Sequence, residues 1–159
     1  MITLGIDPGS IRVGYGIISG NKKLLLVDYG VIEAERKKSD ALISEIAGKI
    51  SELIKKYKPD LVGIEKIYFS KNVKTGIEVA QTRGAIILEV TKYKIPIVEL
   101  SPSEVKLAVT GYGLSDKKGV AKMVAKILNT EKLVGFDDAS DALAIAIAAT
   151  NKGIDSQLF

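Results

Sequence analysis

The sequence predicts an α/β fold, a single mixed sheet flanked by helices, and three observations carry that prediction. The N-terminal part holds three apolar runs of strand character joined by short links, for which an antiparallel meander is the economical arrangement. From Ala41 the apolar period switches to that of a helix, and short apolar strands then alternate with helical stretches. Near the C-terminus the run ALAIAIAA is apolar all round, which predicts a buried helix. At 159 residues the chain is expected to form one domain spanning 1–159, large enough for a substantial core.

The elements follow in order. Ile2, Leu4 and Ile6 alternate with Thr3 and Gly5 as a strand that stops at Asp7, and Pro8-Gly9 turns the chain. Val13–Ile18 and Leu24–Glu33 read as the second and third strands, followed by a polar linker over 34–40. Leu42, Ile46, Ile50, Leu53, Ile54 and Tyr57 recur at helical spacing over Ala41–Tyr57, and Lys58-Pro59-Asp60 ends that helix. Leu61–Ile64 is a short buried strand closed by Glu65, and 66–74 is a loop. Helical period returns over Thr75–Tyr93, and Ile97–Leu100 forms a fifth strand. Ser101-Pro102-Ser103-Glu104 is a capping box with proline at the first helical position, opening a short helix to about Thr110. Gly111-Tyr112-Gly113 reads as a flexible loop and Ser115–Asn129 as a helix with Val120, Val124, Ile127 and Leu128 on one face. Phe136-Asp137 opens the last helix, expected to reach about Lys152.

Composition narrows the chemistry. The chain has no cysteine, which excludes disulfides and zinc–thiolate sites, and no histidine, which excludes Ser-His-Asp, Cys-His and His-ligated zinc mechanisms. Acid–base or metal chemistry must therefore run on carboxylates, lysines, tyrosines and water. A net charge of +4 permits a nucleic-acid partner without demanding one. No stretch has the run of uncharged apolar residues that a membrane span needs, the opening strand does not read as a signal peptide, and the absence of cysteine fits a cytosolic protein.

Four carboxylates occupy telling places. Asp7 and Glu65 each end a predicted buried strand, and if those strands are parallel neighbours both emerge at one sheet edge, where open α/β sheets place their sites. Asp138 and Asp141, three residues apart, share one face at the start of the last helix. Each also has a plainer reading. Asp7 suits an Asp-Pro-Gly turn, Glu65 a strand terminus, and Asp137 and Asp138 a helix N-terminus. Asp141 is harder to read that way, because it lies in an apolar run where an unpaired carboxylate is costly. Four convergent carboxylates without His or Cys would suit a hard divalent cation, Mg²⁺ or Mn²⁺. Two such ions about 4 Å apart suit in-line displacement at a phosphodiester, leaving 5′-phosphate and 3′-hydroxyl ends.

The stretches IDPGSIRVGYG, IEKIYFSKN, AQTRGA and DDASDALAIA resemble, in order and spacing, the motifs of the RuvC family of Holliday junction resolvases. The resemblance covers nearly the whole chain. It implies a ribonuclease-H-like fold with a five-stranded mixed sheet, its first three strands antiparallel. It further implies a bacterial, cytoplasmic, metal-dependent endonuclease of DNA recombination and repair, which resolves Holliday junctions by symmetric paired nicks. A homodimer, with the 75–93 helix as candidate interface, and a RuvA–RuvB branch-migration complex as partner belong to the same implication. By the resemblance Asp7, Glu65, Asp138 and Asp141 are the catalytic acids that bind Mg²⁺, two ions per site with Mn²⁺ as a substitute, whereas Asp137 has no role. Four-way junction DNA calls for lysines and arginines around the acids, for which Lys66, Lys71, Lys74, Arg83, Lys106, Lys117 and Lys118 are candidates. Lys106 and Lys117 match basic family positions near the acids, Arg83 matches the basic residue of a Gln-x-Arg-Gly motif, and Tyr68 matches an aromatic position near the junction centre. Tyr68-Phe69 is an aromatic pair in a basic loop, suited to stacking on bases, with Phe69 more suited to packing on the sheet edge.

Rival readings are a YqgF-type nuclease acting on RNA, which shares the IDPGS opening, and an actin-like ATPase, which would need a second lobe. A junction-binding protein that does not cleave is a third, disfavoured because a pure binder gains nothing from acids facing phosphates.

Overall fold

The alternation of β1 (Ile2–Asp7) sets the layering of the molecule, a computed structural model that describes residues 1–35, 39–68, 73–130 and 137–156. Leu4 and Ile6 point into one core and Thr3 and Gly5 toward the opposite face, as period two requires. Around β1 the sheet runs β3-β2-β1-β4-β5, with β2 (Arg12–Ser19), β3 (Leu25–Glu33), β4 (Leu61–Glu65) and β5 (Ile97–Leu100). β1, β2 and β3 pair antiparallel, and β4 and β5 run parallel to β1. This is the five-stranded mixed sheet expected from the sequence.

On one face lie α1 (Ser39–Tyr57) and α2 (Val73–Lys92), which bring Ile46, Ile50, Ile54, Ile86 and Val90 onto Leu4, Ile6, Ile17, Val62 and Ile64. On the other lie α3 (Pro102–Thr110), α4 (Lys117–Ile127) and α5 (Asp137–Ser156), with Val105, Val109, Val120 and Val124 closing over Leu143, Ile147 and the alanines of α5. Each fully buried leucine or isoleucine contributes about 2 kcal/mol, so both layers hold the sheet.

α5 lies unusually close to the strands, and glycine is the reason. A Cβ built on Gly5 would stand 2.1 Å from the carbonyl oxygen of Ala142, and one on Gly14 2.0 Å from that of Asp138. Only a bare backbone permits that approach. The buried Thr150 hydroxyl completes the seam by bonding Thr3 Oγ1 at 2.8 Å. Ala142–Ala149 is buried throughout, as its all-apolar composition predicts.

Some boundaries differ from expectation. The capping box at Ser101 forms as read: Glu104 N–H donates to Ser101 Oγ at 3.2 Å and Ser101 N–H to Glu104 Oε2 at 2.7 Å. α4, expected over Ser115–Asn129, is capped instead by Asp116, whose Oδ1 accepts from Gly119 N–H at 2.8 Å, while the Ser115 hydroxyl bonds Thr110 Oγ1 at 2.7 Å. Across 111–113 the chain turns: Gly111 caps α3 at φ +76°, and Tyr112 N–H donates to Thr110 Oγ1 at 3.1 Å. α2 begins at Val73, two residues early, and α5 continues past Lys152 to Ser156. Phe136 lies outside the described residues. No helix among the described residues is long and apolar enough to cross a membrane.

Candidate active site

The parallel register of β1 and β4 pairs Ile6 with Ile64, so Asp7 and Glu65 follow at the same sheet edge. By alternation both side chains face α5, whose first turns carry Asp138 and Asp141. Asp7, Glu65 and Asp141 line one cleft of about 300 Å³, and Lys106 of α3 and Lys117 of α4 reach into it.

The electrostatics of the cleft centre on Asp7. Removal from water, then repulsion by Glu65, Asp141 and Asp138 in that order, pushes its carboxyl up to about 7, against the pull of Lys117. Burial and Asp141 likewise raise Glu65, while Lys117 and Lys106 oppose the rise. Lys117 Nζ stands 3.0 Å from Asp141 Oδ2, and this hydrogen-bonded pairing raises the ammonium pKa. Asp138 is near enough to act on Asp7 but turns toward β2, where its Oδ2 lies 3.3 Å from Arg12 Nη2. Arg12 Nε in turn lies 3.2 Å from Glu33 Oε1.

The donor set is oxygen only, and repulsion among its carboxylates adds to the burial that raises Asp7, both of which suit a hard divalent cation. As the side chains stand, no group of three or more acids among the described residues is gathered closely enough to hold one. Two of the acids are paired with cations: Asp141 with Lys117 and Asp138 with Arg12.

The remaining sequence candidates divide. Lys118 is exposed on α4, beside Lys117. Tyr68 is 63% exposed and lines a second cleft with Lys66 and Arg83. Arg83 is turned inward: its Nε donates to the Glu65 carbonyl at 2.9 Å and its guanidinium pairs with Glu99. Lys71 and Phe69 lie outside the described residues. Sequence reading missed Arg12, although the β1–β2 register, with Asp7 opposite Gly14, places it just past the strand end that carries Asp7.

A five-stranded mixed sheet with an acid-lined cleft at the C-terminal ends of β1 and β4 defines a ribonuclease-H-like domain. The family model described as crossover junction endodeoxyribonuclease RuvC matches residues 3–149. A crossover junction endodeoxyribonuclease RuvC of Prochlorococcus marinus (strain NATL2A) is 45% identical over 149 residues, covering 92% of this chain and 96% of that protein. One from Petrotoga mobilis is 43% identical over 155 residues, covering 95% and 94%. Among solved structures, Thermus thermophilus RuvC in complex with Holliday junction substrate superposes with a TM-score of 0.91 at 26% identity, covering 98% of this chain and 96% of the other. The chain belongs to the RuvC family of crossover junction endodeoxyribonucleases.

Proposed function

We propose that this chain is a Holliday junction resolvase, an endodeoxyribonuclease that cuts four-way DNA junctions by paired symmetric nicks in recombination and repair. The observation that carries the reading is the cleft in which Asp7, Glu65 and Asp141 face Lys106 and Lys117, within a chain of this family.

Asp7, Glu65, Asp138 and Asp141 would hold divalent metal, two Mg²⁺ ions per site with Mn²⁺ as a substitute. When bound, such ions supply activation of water and neutralisation of charge on the leaving oxygen. The chain's own residues do the rest. Asp7 and Glu65 are fixed by the sheet and Asp138 and Asp141 by the glycine-seated helix, so the acids are held on rigid elements. Lys106 and Lys117 draw the scissile phosphate to the acid edge, and Lys117 leaves Asp141 as it does so. Tyr68 stacks on an unpaired base near the junction centre, and Lys71 and Lys118 add backbone contacts. The products carry 5′-phosphate and 3′-hydroxyl ends.

Residues 1–159 act as one nuclease domain, and two copies address the two equivalent strands of a junction. Val73, Ile77, Gly84 and Leu88 form an exposed apolar stripe along α2, and a Cβ on Gly84 would meet nothing, so this helix face suits a second copy of the chain. The protein works in the bacterial cytoplasm with a RuvA–RuvB branch-migration complex.

The test compares a synthetic four-way junction, a linear duplex of the same sequence and an RNA duplex under Mg²⁺, with product ends mapped. Paired nicks confined to the junction and bearing 5′-phosphates are expected. Cleavage of RNA alone, or junction binding without nicks, would overturn the reading.

A further inference from the structure

Arg83 is anchored differently from Lys106, Lys117 and Lys118. It projects from α2, yet its side chain is only 16% exposed. Its Nε donates to the backbone carbonyl of Glu65 at 2.9 Å, and its Nη2 pairs with Glu99 of β5. The recipient carbonyl belongs to the last residue of β4, where the strand leaves the sheet. That end is otherwise tied to β5 by the Glu65–Leu100 register and by Lys66 N–H donating to Leu100 O at 2.8 Å. One guanidinium therefore links α2, β4 and β5 at the residue whose side chain lines the acid cleft.

Geometry and charge both argue against an outward role. A planar fork can serve a carbonyl and a carboxylate at a fixed angle, which a lysine ammonium cannot reproduce. Glu99 cancels the Arg83 charge at close range, so the pair offers little attraction to a phosphate.

We propose that Arg83 is a positioning residue for Glu65, with Glu99 as the counter-ion that fixes the guanidinium, and that it does not contact DNA phosphate. The proposal rests on the nuclease reading above. Holding the Glu65 carbonyl fixes the backbone from which the Glu65 carboxylate is aimed at the cleft, and small displacements of such a group cost large factors in rate.

The test uses the full chain as wild type, Arg83→Ala, Arg83→Lys and Glu99→Gln. Two quantities are read: the single-turnover cleavage rate at saturating protein, and the junction Kd in EDTA across a salt series. Arg83→Ala is expected to slow cleavage by about tenfold or more, with Kd within about twofold and the salt slope unchanged. Arg83→Lys is expected to recover part of the rate. Glu99→Gln, which leaves Arg83 its carbonyl bond but loosens the fork, is expected to slow cleavage by less. A weakened Kd with a shallower salt slope and an unimpaired saturated rate would make Arg83 a DNA contact and overturn the proposal. Should Arg83→Ala fail to fold, Glu99→Gln decides: a slower saturated rate supports positioning, and an unchanged rate with tighter binding overturns it. If the wild type itself makes no nicks, the nuclease reading falls and this proposal falls with it; if the wild type nicks and only the variants disagree, this proposal falls alone.

Discussion

At the scale of single residues, Asp7 couples function to stability. Its carboxyl, ordinarily at 3.8, sits at about 7 in the folded chain, chiefly because burial and three neighbouring acids disfavour its charge. The folded state therefore holds this proton more tightly than the unfolded state. The stability it contributes is fully present below the unfolded pKa and is lost as pH rises through the folded value near 7. Melting temperatures in EDTA are accordingly expected to fall between about pH 5 and about pH 8 by an amount worth a few kcal/mol. Asp7→Asn, which keeps the shape and removes the charge, is expected to flatten that dependence and to be as stable as wild type or more so at the upper end. A variant clearly less stable than wild type at the upper end would show that Asp7 is a structural turn residue.

At the scale of elements, the seam between α5 and the sheet positions half of the acid set. Gly14→Ala would drive a Cβ against the Asp138 carbonyl, a contact of backbone on both sides with no flexible group to yield. The expected cost is about 1–3 kcal/mol, read as a lowered melting temperature, with cleavage falling further than stability explains because Asp138 and Asp141 move with the helix. An unchanged melting temperature and rate would refute the seam's role. Ser101→Ala, which removes the cap of α3, is expected to cost about 1 kcal/mol by the same melt. Much of this was legible in the sequence, because the signals are local: the alternation of Ile2, Leu4 and Ile6, the capping box, and the all-apolar run of α5. The convergence of Asp7 and Glu65 was legible too, since both end buried strands. Other features were not, because their partners are remote in sequence. Nothing near Arg83 announces that it turns inward to Glu99 and the Glu65 carbonyl, and nothing near Asp138 announces Arg12. Ser115 and Asp116 are both good caps, and only the Ser115–Thr110 bond decides between them.

At the scale of the whole molecule, a basic chain presents its acids in a cleft flanked by lysines and an apolar stripe on α2. Leu88 is 62% exposed, so Leu88→Glu should leave the fold intact while placing a charge in the proposed seam between two copies. Sedimentation is expected to show a wild-type dimer and a monomeric variant, and a wild-type monomer would contradict the two-copy arrangement. The central claim is that the acid cleft cuts junction DNA. The most direct measurement incubates a four-way junction with wild type and with Asp7→Asn, each in Mg²⁺ and in EDTA, and follows both nicking and binding. The account predicts paired nicks from wild type with Mg²⁺ alone, and undiminished junction binding without nicks from Asp7→Asn. Nicking by Asp7→Asn at the wild-type rate would contradict it.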